Sequence, residues 1–132
     1  MLIRRAAPED ALDLQNLINQ AFNRTTDWTV EETYFKNPSI ITLVAVKENV
    51  ILATASLHIL QKLDRKMGQI EDVVVAPQAQ GQGWGHRIIL SLLKEEKVSD
   101  CYKVILNTAE STQAFYEKIG FEKGEIQMLK RN

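Results

Sequence analysis

The spacing of apolar positions changes along the chain, and each change predicts an element. Leu2 to Ala6 reads as a short strand. Leu12, Leu14, Leu17, Ile18 and Phe22 then recur at helical spacing; Pro8 stands near the first turn, with Glu9 and Asp10 at its positive end. Asn23 to Thr29 is polar and turn-like around Trp28, and Val30 to Lys36 predicts a second short helix stopped before Pro38. Ile40 to Val46 and Val50 to Leu60 are β-branched runs flanking Lys47, Glu48 and Asn49, a predicted hairpin. Gln69 to Val75 is a third strand ending before Pro77. A helix follows from about Gly83 to Glu96, with Ile88, Leu92 and Leu93 along one face. Tyr102 to Leu106 is a further strand, and Ser111 to Ile119 a helix closed by Gly120. Phe121 to Arg131 predicts a final hairpin around Gly124. The order β-α-α-β-β-β-α-β-α-β-β makes an α/β (α+β) fold, a mixed sheet flanked by helices.

Composition narrows the class. The 132 residues suit one domain, 1–132, and 45% hydrophobic content can bury a core without disulfide or metal. The net charge of -1 gives no basic excess for nucleic acid. Cys101 is the only cysteine, so no intrachain disulfide can form, which suits a reducing cytoplasm. Nothing resembles a signal peptide, and no apolar run approaches the roughly 18 residues of a membrane span. His58, His86 and Cys101 have no metal-ligand spacing, so no metal is expected.

The strongest local signal is Gln80, Gly81, Gln82, Gly83, Trp84 and Gly85, after a strand and at the mouth of a helix. Alternate glycines let a ligand approach the backbone, and amides at a helix start make an anion site that suits a diphosphate. A Rossmann site is disfavoured, because no acidic residue ends a strand about 20 residues later. Glu71 and Asp72 are the second signal. Strict alternation faces them to opposite sides of the sheet, Asp72 with Ile70 and Val74, Glu71 with Val73 and Val75. Two acids in so apolar a run call for ion-pair partners or a function.

The Gln-x-x-Gly-x-Gly spacing resembles the acetyl-CoA pyrophosphate loop of the GNAT superfamily. Gly68-Gln69-Ile70-Glu71-Asp72-Val73-Val74-Val75 resembles the central strand of eukaryotic-type glucosamine-6-phosphate N-acetyltransferases. Cys101 to Leu106 and Phe115 to Phe121 resemble their C-terminal half, at matching separations. The likeness covers about residues 67–131.

The resemblance implies the GNAT acyl-CoA N-acyltransferase fold, with acetyl-CoA as co-substrate. It implies an amine acceptor, an amino-sugar phosphate, in a step toward UDP-GlcNAc. By the same likeness Glu71 and Asp72 contact the acceptor or remove its proton. Tyr116 donates to the coenzyme sulfur, and the amides of Val73, Val74 and Val75 hold the thioester carbonyl. Arg131, in the last strand, binds the sugar phosphate. Asn107 stands where an acid is usual, which leaves only a main-chain acceptor contact there. Thr112 replaces a coenzyme-contacting asparagine, and Trp84 packs over the coenzyme or caps the helix. The resemblance also implies a homodimer paired through C-terminal strands. Two other readings stay open: acetylation of another primary amine, and a non-catalytic acyl-CoA-binding module.

Overall fold

A computed structural model describes residues 2–25 and 27–132. Met1, at the start of the reading for a leader, and Thr26, inside the predicted polar turn, lie outside the described residues. Five strands and four α-helices form in the order β1 (Leu2–Arg5), α1 (Ala11–Ala21), α2 (Glu32–Lys36), β2 (Ile40–Lys47), β3 (Val50–Gln61), β4 (Lys66–Val75), α3 (Trp84–Leu93), β5 (Cys101–Ile105) and α4 (Glu110–Ile119). Short 3-10 turns at Pro8–Asp10, Pro77–Ala79 and Glu96–Asp100 join them.

The sheet runs in sequence order, β1 to β5. Its first three pairings are antiparallel and the last, β4 with β5, is parallel. A parallel neighbour needs a crossover, and α3 supplies it. The β2–β3 hairpin closes tightly because Glu48 and Asn49 both adopt positive φ, 51° and 65°, as a primed two-residue turn requires.

Both faces of the sheet are covered. One face buries Ile41, Leu43, Ala55, Leu57 and Ile70 against Trp84, Ile88, Ile89 and Leu92 of α3. The other buries Val44, Ile51 and Val74 against Leu14 and Leu17 of α1. Leu12 and Phe22, predicted on the inner stripe of α1, are instead 66% and 54% exposed, so that stripe is narrower than the spacing suggests. Gly68 is set by close approach: a Cβ there would stand 3.0 Å from Leu57 Cδ1 and 3.3 Å from Val104 Cγ2.

Asp10 is buried and its role differs from the expected one. Its carboxylate accepts a forked pair of bonds from Arg4, 2.8 and 3.0 Å, and a third from the Ala7 amide at 2.8 Å. It therefore locks β1 to the start of α1 rather than serving only the helix dipole.

Several predicted boundaries move by one to three residues. The α3 helix ends at Leu93, before Glu96. No strand forms after α4: residues 121–132 have no regular structure, so the predicted final hairpin is absent from this chain. Ile126, Met128 and Leu129 are 89%, 88% and 64% exposed there, so the apolar alternation finds no sheet edge to pair with in its own chain. No helix among the described residues is long and apolar enough to cross a membrane.

Candidate active site

The site begins with a break in strand β4. Ser56 pairs with Glu71 and Thr54 with Val74, so Ala55 alone opposes both Asp72 and Val73. This is a β-bulge, and Asp72 is the residue that absorbs it, at φ 53°. Aspartate tolerates the left-handed region better than the valines around it, because its short polar side chain can satisfy nearby backbone.

The bulge overturns the expected alternation. Ile70, Val73 and Val75 pack with the α3 core, while Val74 packs with the α1 core. Glu71 stands opposite Ser56, and Asp72 lines a cavity that Ser56 and Thr54 also line. The two acids thus serve one side of the sheet. Regular pleating would have turned Asp72 toward α3.

That cavity, about 470 Å³, lies between the α1 end, the segment before α2, and the middle of β2–β4. Its floor is a closed ring of hydroxyls. Tyr34 Oη lies 2.8 Å from Thr42 Oγ1 and 3.0 Å from Ser56 Oγ, and those two are 2.8 Å apart. In such a ring each hydroxyl donates once, so the spare capacity is mainly lone pairs, which favour a ligand that donates. Trp28 forms part of the wall, held by its Nε1 donating to Asn19 Oδ1 at 2.9 Å and by Gln15 donating to its carbonyl.

Asp72 is reached by solvent through this opening, but enough protein surrounds it to move its ionisation. Burial raises its carboxyl above the ordinary aspartate range, and the charge of Glu71 raises it further; His58 and Arg24 partly offset both. Glu71 is itself held by Gln69, whose Nε2 donates to Glu71 Oε2 at 2.6 Å. A carboxyl with raised basicity facing a cavity with acceptor groups is suited to taking a proton from a bound ammonium.

On the other edge, β4 and β5 part. Their pairing runs from Lys66 with Cys101 to Gln69 with Ile105, and among the described residues it does not extend to Val73, Val74 or Val75. Beyond Gln69 that edge of β4 has no β5 partner among the described residues. At its end the chain turns through Pro77–Ala79 into the glycine loop, closed by Gln80 Nε2 donating to the Val75 carbonyl at 3.2 Å.

The loop is built as the glycine spacing predicts. Gly81 and Gly83 adopt φ 79° and 84°, and Gly83 is the N-cap of α3. Gly85 allows close packing, since a Cβ there would meet the Phe115 ring at 3.4 Å and Val75 at 3.6 Å. From Pro77 to Ile88 there is no carboxylate, and Arg87 reaches back so that its Nη2 donates to the Gln82 carbonyl at 2.9 Å. First-turn amides, no acid and a neighbouring guanidinium are the chemistry a diphosphate needs.

Trp84 is corrected. Its side chain is 2% exposed and belongs to the α3 core, so it cannot pack over a coenzyme; only its backbone lies at the loop. Tyr116 is half-buried between Phe115, stacked at 4.9 Å, and Phe121, edge-on at 6.0 Å. Burial pushes its phenol up, so it stays protonated and able to donate near neutral pH.

The remaining predicted residues are more dispersed. Asn107 is exposed just beyond β5. Thr112 closes the first turn of α4, its Oγ1 2.5 Å from that of Thr108 and donating to the Ala109 carbonyl at 3.2 Å. Arg131 does not sit in a strand: it is exposed in the irregular tail and takes no part in the cavity lining. Reading the sequence missed Arg24, Tyr34, Thr42, Ser56 and His58 as neighbours of Asp72. One signal was available: Thr42, Thr54 and Ser56 are hydroxyls set at even spacing inside otherwise apolar strands.

A parted β4–β5 pair, a bulge and a helix-capping glycine loop occur together along one strand, and the model of the acetyltransferase (GNAT) family matches residues 9–121. The chain belongs to that family. Among this acetyltransferase-family chain's relatives, the glucosamine 6-phosphate N-acetyltransferase of Candida albicans is 37% identical over 98 residues, 72% of this chain and 64% of the relative. The enzyme of that name from Trypanosoma brucei brucei is 44% identical over 81 residues, 59% of this chain and 55% of the relative. The chain thus matches less than two thirds of the length of these curated relatives. The crystal structure of glucosamine-6-phosphate N-acetyltransferase from Arabidopsis thaliana superimposes with a TM-score of 0.79 at 30% identity, covering 98% of this chain and 97% of that one. Among the described residues, no group of three or more His, Cys, Asp or Glu side chains could hold a metal ion.

Proposed function

We propose that this chain transfers acetyl from acetyl-CoA to the 2-amino group of glucosamine 6-phosphate, by direct attack in a ternary complex. The observation that carries the reading is the bulge at Asp72. It turns a basic carboxylate into the 470 Å³ cavity on the very strand whose other edge leads to the glycine loop. An acceptor and an acyl donor can therefore meet across one strand. The family match and the relatives' names support the reaction and the acceptor class.

In this reading the amides of residues 80–85 hold the pyrophosphate, and those of Val73–Val75 hold the thioester carbonyl as negative charge develops on it. Asp72, with Glu71 beside it, takes the first proton from the bound ammonium and frees the amine for attack. The new C–N bond forms as the C–S bond breaks, and Tyr116 donates to the departing sulfur. A second proton leaves nitrogen as the C–N bond forms and restores the phenol that gave one to sulfur, so amide, thiol and the one proton taken by Asp72 balance the bound ammonium and thioester. Asn107 contributes at most its main-chain carbonyl to the acceptor.

The tail supports a homodimer. Ile126 and Met128 alternate on an exposed, unpaired segment, as a strand completed by a second copy would. In that assembly Arg131 could reach an acceptor site. Sedimentation at micromolar concentration should give twice the 15.0 kDa chain mass, and a monomer alone would refute it. A chain of this type with no disulfide suits the cytoplasm.

The test is thiol release from acetyl-CoA across a panel of amines. Glucosamine 6-phosphate should be used best, ahead of glucosamine, polyamines and amino acids. Equal use of phosphorylated and free sugar would leave acetylation of another primary amine. Coenzyme binding without release on any amine would leave an acyl-CoA-binding module.

A further inference from the structure

The acceptor cavity has an uneven charge distribution. Two of its lining residues are acids, Glu31 and Asp72, and one is a cation, Arg24. None of the ion pairs among the described residues engages Arg24. Its guanidinium instead lies 4.9 Å from the centroid of the Phe22 ring, a contact that orients it without neutralising it.

The backbone beneath Arg24 is fixed by the end of α1. Asn23 adopts φ 51°, the left-handed turn that terminates a helix, and the Arg24 amide donates to the Asn19 carbonyl at 2.8 Å. Trp28, four residues on, is tied to the same asparagine's side chain. The arginine therefore springs from an anchored corner, not from a free loop. Its charge is also felt at Asp72, which places both in one electrostatic environment.

A guanidinium outside any of these ion pairs and a carboxylate of β4, both on the lining of one cavity, match a ligand that is cationic at one end and anionic at the other. We propose that Arg24 binds the phosphate of the acceptor, so that this chain contributes an anion anchor to its own cavity. The proposal rests on the phosphorylated amino-sugar reading given above, and it differs in assigning the anchor to the α1 terminus. Arg131, the cation expected from the sequence, lines no part of that cavity within the chain. A planar guanidinium presents two parallel donors to two phosphate oxygens at once, a fixed geometry that an ammonium lacks.

The experiment measures selectivity, the ratio of kcat/KM for glucosamine 6-phosphate to that for glucosamine, in wild type, Arg24→Gln, Arg24→Lys and Arg131→Ala. Calorimetric titration with each sugar accompanies it. Arg24→Gln should lower the selectivity about tenfold through KM, and weaken calorimetric binding of the phosphorylated sugar in step, the loss of a charge-assisted contact. Arg24→Lys should recover part of it. The acetyl-CoA dissociation constant should not move, because the glycine loop lies elsewhere. If wild type shows no selectivity, the phosphorylated-acceptor reading falls. If wild type is selective and Arg24→Gln is equally so, the Arg24 assignment is overturned while that reading stands. Loss of selectivity in Arg131→Ala alone would place the anchor on the tail and likewise overturn it.

Discussion

Glu71 and Asp72 are consecutive in a β-strand, yet both serve the side of the sheet that carries Ser56, because Asp72 at φ 53° is the extra residue of a bulge. The pair also interacts: the charge of Glu71 raises the carboxyl of Asp72. Asp72→Asn should therefore separate function from stability. Asparagine tolerates the left-handed backbone, so the bulge should survive. Turnover should fall by about 10²–10⁴-fold, as expected for losing a positioned base. The sign for stability follows from linkage. A carboxyl raised in the folded state favours folding at low pH, and that contribution is lost as pH rises through its folded value. Relative to Asp72→Asn, wild type should lose melting temperature across that window, above the ordinary value of about 3.8. Equal melting curves at all pH values, with unchanged turnover, would make Asp72 a bystander.

Tyr116 should be separable from its packing. Phe115 and Phe121 hold the ring, and none of the hydrogen bonds among the described residues uses its hydroxyl. Tyr116→Phe should therefore keep the melting temperature and acetyl-CoA affinity while slowing turnover about 10²-fold or more. Single-turnover kinetics give the test. A variant with wild-type chemistry would make Tyr116 a core residue.

Gly83 supports the anion site through its conformation. At φ 84° any side chain is strained by roughly 1–2 kcal/mol, and its Cβ would stand 3.5 Å from the Arg87 guanidinium. Gly83→Val should weaken acetyl-CoA binding at least tenfold by calorimetry, with only a modest drop in melting temperature. Unchanged affinity in a folded variant would remove the loop from the coenzyme site.

The Arg4–Asp10 pair should stabilise the fold in a pH-dependent way. Arg4 holds the Asp10 carboxyl below its ordinary range, so its contribution is present above about 3.8 and lost as pH falls through the folded value. Arg4→Ala leaves a buried carboxylate without its fork. It should cost about 1–3 kcal/mol at neutral pH, less for the solvent that reaches Arg4, and little at low pH. Urea titrations at neutral and acid pH give the comparison, and a loss equal at both would make the effect one of packing.

Local chemistry determined much of this protein. β-branched runs with polar breaks specified β2, β3 and β4, and helical periodicity specified α1 and α3, because burial demands those spacings in any fold. The glycine loop and the cap at Gly120, φ 112°, were legible since only glycine reaches such conformations cheaply. The tertiary structure decided the rest. A bulge depends on how two strands register, and alternation read along one strand assumes none, so the side taken by Asp72 could not be read from β4 alone. Trp84 looked available to a ligand in the glycine loop, but the facing sheet buries it. The cavity gathers Arg24 from the corner after α1, Tyr34 from α2, Thr42 from β2 and Ser56 from β3, which proximity in sequence does not reveal. The apolar alternation after Gly120 predicted strands, but a strand needs a neighbour to satisfy its backbone, and this chain alone supplies none.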